Sequence, residues 1–119
     1  MTDPLTGQCL CGNVQIQVKH RPEYVNDCNC SLCTKLGALW AYYPSDEIDI
    51  LGKTHSYVRT DLREPALAVH HCPTCGATTH WVPLEDGPHQ RMGINARLFA
   101  DGAIEDVEIR YPDGKSWAV

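Results

Sequence analysis

The chain has 119 residues, of which 43% are hydrophobic, and its formal net charge is −5. It is long enough for one folded domain, too short for two ordinary ones, and not disordered in composition. The negative net charge argues against a nucleic-acid-binding protein, which needs a positively charged surface. No apolar run approaches a membrane span, and residues 1–10 lack the build of a signal peptide. We therefore expect a single domain over residues 1–119, with no nucleic-acid or membrane partner, in the cytoplasm.

Cysteine is the residue that departs most from ordinary composition, with seven in the chain. An odd number of thiols without an export signal argues against a disulfide framework. Clustered thiols in a reducing compartment are more often metal ligands. A metal would also stabilise a small domain that has only one Phe. The cysteine content therefore predicts metal centres.

The first thiols stand near the start of the chain. After a loose lead-in over residues 1–6, Cys9 and Cys11 lie two apart in a segment that we expect to be extended, so both face one ion. Gly12 allows a turn, and residues 14–18 alternate as a strand with one buried face. This stretch predicts one half of a metal site beside a strand.

A second group of thiols forms a C-x-C-x-x-C run, consisting of Cys28, Cys30 and Cys33. We call this run the claw. A helical turn over residues 31–35 is expected to follow, capped by Ser31 and ended by Gly37. Zinc in proteins normally takes four ligands, and three protein ligands with one open position is the pattern of catalytic sites. The claw by itself therefore predicts an open site.

The third group is the run Cys72-Pro73-Thr74-Cys75-Gly76. Two thiols converge across a tight turn in such a C-P-x-C-G knuckle, and Gly76 takes the positive φ that brings the backbone close to the ion. The knuckle supplies half of a four-ligand site. It needs a second pair of thiols.

The rest of the chain predicts short strands separated by Gly and Pro turns. Alternation predicts strands over residues 38–43, 46–50, 55–59, 67–71, 78–82, 90–94 and 104–110. Turns or loops are predicted over residues 52–53, 61–65, 85–88 and 112–114, with a turn or short helix over residues 95–100. The chain is therefore expected to be mainly β.

The seven thiols divide most simply into four and three. The pair Cys9 and Cys11 would complete the knuckle and leave the claw open. Spacing alone also allows the alternative in which the knuckle completes the claw. The first division gives one closed, structural site and one site with an open position.

The order and spacing of all seven cysteines resemble the glutathione-dependent formaldehyde-activating (GFA) family, also called the CENP-V/GFA domain. The resemblance lies in Gly7-x-Cys9-x-Cys11-Gly12-x-Val14, Cys28-x-Cys30-x-x-Cys33, Cys72-x-x-Cys75-Gly76 and Gly93-Ile94-Asn95-Ala96. It implies an Mss4-like β-tent fold with short antiparallel strands and two Zn²⁺ per chain. By resemblance, the structural zinc is held by Cys9, Cys11, Cys72 and Cys75. The catalytic zinc is held by Cys28, Cys30 and Cys33.

The same resemblance implies a carbon–sulfur lyase that joins or separates a thiol, such as glutathione, and formaldehyde. Three thiolates would leave Zn²⁺ with a net negative site, which favours binding and activating a thiol over polarising a carbonyl. Two other functions stay open. One is a thiol-binding module without turnover, and the other is an interaction domain with two structural zinc ions.

Several further side chains are candidates for the chemistry around the claw. Proton transfer near neutral pH is most often performed by His, and three His flank the knuckle. Asn95 and Arg97 are candidates for binding a substrate amide or carboxylate. The candidate proton carriers are His70, His71 and His80, and the candidate pocket walls are Trp40, Tyr42 and Tyr43.

Overall fold

The structure is a computed structural model that describes residues 4–84 and 91–114. The strands are β1 Leu5–Gln8, β2 Gln15–Val18, β3 Tyr24–Asn26, β4 Trp40–Pro44, β5 Ile48–Leu51, β6 His55–Tyr57, β7 Leu67–His71, β8 Thr78–Pro83, β9 Arg91–Asn95 and β10 Glu108–Arg110. The helices are α1 Ser31–Leu36 and two 3₁₀ turns, Ser45–Glu47 and Ala96–Leu98. The expected mainly β class is confirmed.

The described strands form two sheets. One has three antiparallel strands in the order β1-β2-β5. The other has seven strands in the order β10-β3-β4-β9-β8-β7-β6, and its pairs are antiparallel except for β10 with β3. Two sheets of short strands that bring cysteine clusters together agree with the Mss4-like β-tent that the sequence predicts.

The main core contains residues from both sheets. On β2, Ile16 and Val18 are buried and the Gln residues between and before them are exposed, as the alternation predicts. They belong to one apolar cluster with Ala41 and Tyr43 of β4 and with Ile94 of β9. Full burial of side chains of this size contributes about 1.5–3 kcal/mol each. Val25 of β3 belongs to the same cluster, so the core fixes β3 and β4, the two strands between which the claw lies in the chain.

Most strand predictions agree with the structure to within a few residues, but the strands differ from the expectation at three places. Residues 5–8 form a strand, although a loose lead-in over residues 1–6 was expected, because β1 pairs with β2 along its whole length. Strand β3 was not predicted, since three residues show no periodicity. Most of residues 104–110 is turn, because Ile104 and Val107 pack on the core three residues apart. The predicted turn at residues 85–88 lies outside the described residues.

No helix within residues 4–84 and 91–114 has the length and apolar character needed to cross a membrane.

Candidate metal centres and the cavities beside the claw

Four thiols from two distant parts of the chain meet at one point. The Sγ atoms of Cys9, Cys11, Cys72 and Cys75 all lie within 4.8 Å of one another. The first pair lies between β1 and β2, and the second pair lies between β7 and β8. This is the division into four and three that the sequence favoured, and the alternative in which the knuckle completes the claw is not what the structure shows.

Both halves of the four-thiol cluster are tight turns. The amide of Gly12 donates to the carbonyl of Cys9 at 3.1 Å, and the amide of Gly76 donates to the carbonyl of Cys72 at 2.9 Å. Each turn ends in a glycine with positive φ, +83° and +79° respectively. The prediction that Cys9 and Cys11 lie in an extended segment is therefore wrong. The chain must reverse there so that β1 can pair with β2.

Backbone amides surround the sulfur atoms of this cluster. Val14 donates to Sγ of Cys9 at 3.2 Å, and Thr74 donates to Sγ of Cys72 at 3.4 Å. The amide of Ala77, followed by that of Cys11, lowers the pKa of Cys75 to about 6. Amide donors stabilise thiolate, the form that binds zinc. The four donors therefore fit a closed tetrahedral zinc site.

The claw forms a second cluster in which three Sγ atoms lie within 4.8 Å of one another. Within the described part of the chain, no further Cys, His, Asp or Glu joins this cluster. Helix α1 starts here, but its cap is Cys30, whose sulfur accepts from the amide of Cys33 at 3.4 Å, and not Ser31 as predicted. Gly37 ends the helix in the left-handed conformation, as expected. The donor set fits zinc with one position left open.

The thiols of the claw differ in their surroundings. Burial raises the pKa of Cys30, but hydrogen bonds from the amide and thiol of Cys33, from the thiol of Cys28 and from the amide of Leu32 together outweigh it, so that the net shift is downward. Burial raises the pKa of Cys33, although the indole N–H of Trp40 donates to its sulfur at 3.3 Å. Three crowded thiols do not ionise together easily, and a dication at their centre would allow them to do so.

Two cavities adjoin the claw. One, which we call the aromatic cavity, has a volume of about 270 Å³, and its lining includes all three claw thiols together with Trp40, Tyr42 and Trp81. The other, which we call the polar cavity, has a volume of about 330 Å³. Its lining includes two of the same thiols, Cys28 and Cys33, together with Asp27, Asn29, Thr34 and Arg97. The thiols of the claw thus border both an apolar and a polar space.

The two predicted substrate-binding residues are placed differently. Arg97 lies in the lining of the polar cavity, where its Nε donates to the carbonyl of Gly37 at 2.7 Å. Asn95 is 6% exposed and lies in the lining of neither cavity. Its amide donates to the carbonyl of Thr78 at 2.9 Å and accepts from the backbone of Arg97 at 3.2 Å. Asn95 therefore caps the 3₁₀ turn that carries Arg97.

The predicted proton carriers are not among the residues that line either cavity. His70 and His80 stack on each other with ring centroids 4.4 Å apart, and His71 lies edge-on to His55 at 5.9 Å. Burial, followed by the nearby His70, lowers the pKa of His80 to about 4. This stacked pair belongs to the packing of the sheet.

The aromatic residues also divide between the cavity and the core. Trp40 and Tyr42 line the aromatic cavity, whereas Tyr43 is buried in the main core. Sequence reasoning missed Trp81 and Arg91, which complete the wall. The guanidinium of Arg91 lies 4.4 Å from the centre of the Tyr42 ring. Nothing in the local sequence pairs these residues, because they meet only through the alignment of β4, β9 and β8.

Comparison with known proteins agrees with this geometry. A family model described as glutathione-dependent formaldehyde-activating enzyme matches residues 4–117. The chain belongs to the GFA family. The fold is also similar to a crystal structure of a Rhodobacter sphaeroides protein, with a TM-score of 0.67 and 23% sequence identity over 88% of this chain and 99% of that chain. At this identity the likeness supports the fold alone.

We expect two zinc ions that differ in how easily they are removed from this GFA protein. The four-thiol cluster ties distant segments together, so its metal is linked to folding, whereas the claw closes only a short loop. Graded chelation followed by thiol alkylation and mass spectrometry should label Cys28, Cys30 and Cys33 first. Labelling of Cys72 and Cys75 while the claw stays protected would contradict this assignment.

Proposed function

We propose that this protein is a zinc-dependent carbon–sulfur lyase that acts on a small thiol–aldehyde adduct, of which S-hydroxymethylglutathione is the model. The observation that carries the proposal is the claw: three thiols converge without a fourth protein ligand in the described residues and face two cavities. Membership of the GFA family supports the same reaction class. A closed structural site would need neither an open position nor adjoining cavities.

The proposed reaction balances without an oxidant or reductant. In the direction of cleavage, the hydroxyl group of the adduct gives up its proton and the C–S bond breaks, with its electron pair moving to sulfur. The products are an aldehyde and a thiolate, which takes up a proton on release. Zinc bound by the claw would supply the positive charge that lowers the pKa of the leaving thiol.

Tyr42 is suited to hold the oxygen of the adduct. Its hydroxyl oxygen accepts from the side-chain amide of Asn26 at 2.9 Å, which leaves the hydroxyl proton of Tyr42 to be donated to a ligand. Burial raises the pKa of Tyr42, so the hydroxyl stays protonated at neutral pH. Because Tyr42 lines the aromatic cavity with the claw thiols, we assign it as the donor to the hydroxyl or carbonyl oxygen.

Arg97 is suited to hold a carboxylate of the thiol. The contact with Gly37 uses its Nε, and within the described residues no carboxylate pairs with its guanidinium. A guanidinium binds a carboxylate with two parallel hydrogen bonds. We propose that Asn95, committed to the backbone on both sides, acts through Arg97 by fixing the turn.

A thiol-binding module without turnover would use the same contacts. This second function is favoured by one observation, which is that neither cavity is lined by a His in the described part of the chain. Turnover of an adduct separates the two functions. An exchangeable ligand at the claw separates both of them from a purely structural zinc domain.

The decisive experiment combines turnover with the binding of matched ligands. We expect the zinc-loaded protein to accelerate the exchange between glutathione and formaldehyde. In calorimetry it should bind glutathione with release of a proton, more tightly as the pH approaches the thiol pKa of about 8.5. S-methylglutathione has no thiol proton and should bind at least about tenfold more weakly, since thiolate is the preferred ligand of zinc.

Cys30→Ser provides the matched variant, and it should lose both turnover and the preference for the free thiol. Equal binding of glutathione and its S-methyl form by the unmodified protein would show that capture does not run through sulfur. Sulfur-specific binding without acceleration would favour the thiol-binding module.

A further inference from the structure

The aromatic cavity is larger and more apolar than a one-carbon adduct requires. Its volume is about 270 Å³. Its apolar walls come from helix α1, from the sheet and from the loop between β6 and β7, and they include Leu32, Trp40, Tyr42, Leu62, Leu67 and Trp81. Most of the wall that a group entering from the claw would meet is hydrocarbon or aromatic surface.

The size of this cavity can be compared with that of simple ligands. A formaldehyde-derived group is about the size of one water molecule, which takes up about 30 Å³ of liquid volume. A cavity of about 150 Å³ is already sufficient to hold a benzene ring. The aromatic cavity therefore has room for a ring with a few additional atoms.

The polarity of the walls decides which part of an adduct belongs there. Most of the wall is apolar. Of its two guanidinium groups, that of Arg59 makes two hydrogen bonds to Asp61, at 3.0 Å and 2.6 Å, and that of Arg91 lies 4.4 Å from the centre of the Tyr42 ring. Burying peptide amides of the thiol against indole and leucine surfaces would cost free energy, because most of their hydrogen bonds would be lost. The polar cavity, with Asp27, Thr34 and Arg97, suits those groups better.

The geometry of the aromatic wall favours a ring. Tyr42 and Trp81 are edge-to-face, with centroids 6.1 Å apart and an interplanar angle of 64°. Trp81 reaches this position by lying across β9 at Gly93, where an added Cβ would meet the indole nitrogen at 2.0 Å. Aromatic pairs arranged in this way accept a further ring edge or face.

We propose that the aldehyde part of the adduct is an apolar group of ring size, such as an aryl aldehyde, held in the aromatic cavity while the polar body of the thiol lies in the polar cavity. This inference rests on the proposed function, since it assigns the two halves of one adduct to the two sides of the claw. It changes the expected substrate from a one-carbon adduct to a hemithioacetal of a larger aldehyde. Cleavage of that hemithioacetal breaks the same C–S bond and releases the same thiol.

Binding can be tested without turnover. The S-benzyl and S-methyl thioethers of N-acetylcysteine share one polar body and differ only in the apolar group. We expect the S-benzyl form to bind the zinc-loaded protein at least about tenfold more tightly in calorimetry, because it buries a ring. It should also change tryptophan fluorescence, since Trp40 and Trp81 line the cavity.

A variant that fills the cavity makes the test specific. Ala66 lies in the lining and is exposed, so Ala66→Phe adds a ring at this point without enlarging a buried side chain. We expect Ala66→Phe to abolish the preference for the S-benzyl form. Ala100 is exposed and is not part of this lining, and Ala100→Phe should keep the preference.

Turnover separates this inference from the proposed function. With one thiol, we expect benzaldehyde to be used in preference to formaldehyde, and Ala66→Phe to reverse that order. Turnover with formaldehyde preferred, or a benzyl preference that survives Ala66→Phe, would overturn the assignment of the aromatic cavity. No turnover of any adduct, together with benzyl binding that Ala66→Phe removes, would overturn the lyase function and support the recognition of the ring.

Discussion

Cys72→Ser is expected to abolish soluble expression or to lower the melting temperature severely. Cys72 is fully buried, and its cluster joins the turn after β1 to the turn after β7. Structural zinc contributes about 10–16 kcal/mol in zinc-finger peptides, which is comparable to the whole net stability of a domain, about 5–15 kcal/mol. Loss of one thiolate from this site should therefore remove most of the free energy of unfolding.

Cys30→Ser is the matched variant, with the same chemical change in the other cluster. The claw spans only residues 28–33, so it constrains little of the unfolded chain. Serine also caps helices well, so the substitution preserves the start of α1 that Cys30 now caps. We expect the fold to remain and thiol binding to disappear. Thermal unfolding and zinc content of both variants check this, and an equal loss of melting temperature would contradict the division of roles.

Acid should destabilise the protein through His80. The ring is 5% exposed, and its pKa of about 4 lies below the ordinary value of 6.5. As the pH falls below 6.5, the unfolded chain takes up a proton that the folded protein rejects. The stability that depends on an uncharged His80 is thus fully present above pH 6.5 and is lost as the pH falls toward 4. At about 1.4 kcal/mol per pH unit, the loss approaches 3 kcal/mol by pH 4 and is about 2 kcal/mol at pH 5.

The thiols also gain protons in acid, so the His80 contribution must be separated from theirs. His80→Gln keeps a polar group near Thr79, whose hydroxyl lies 2.8 Å from Nδ1 of His80, and it cannot be protonated. Urea unfolding at pH 7.5 and pH 5 should show a smaller loss of stability in His80→Gln than in the unmodified protein. Parallel losses in the two proteins would show that His80 does not contribute to the acid sensitivity.

The sequence by itself determined which thiols stand close together within each motif, and these donor sets fit zinc. Cysteine spacing predicts one closed and one open site, because two residues across a tight turn and three in a C-x-C-x-x-C run are local geometries. The alternating pattern of residues 14–18 predicts β2 for the same local reason, and Gly76 predicts the knuckle. The pairing of Cys9 and Cys11 with the knuckle joins segments about sixty residues apart. The donor chemistry favoured this pairing, and the resemblance to the GFA family was needed to decide it against the alternative.

Only the tertiary structure decided what surrounds the open site. Tyr42, Trp81 and Arg91 come from three strands whose order in the sheet, β4-β9-β8, differs from their order in the chain. No periodicity in one segment reveals which side chains another segment brings beside it. The surroundings of Asn95 were hidden for the same reason, since nothing in the local sequence shows that its side-chain amide donates to the carbonyl of Thr78. The walls beside the open site thus depend on long-range strand pairing, whereas the grouping of thiols within each motif depends on local spacing.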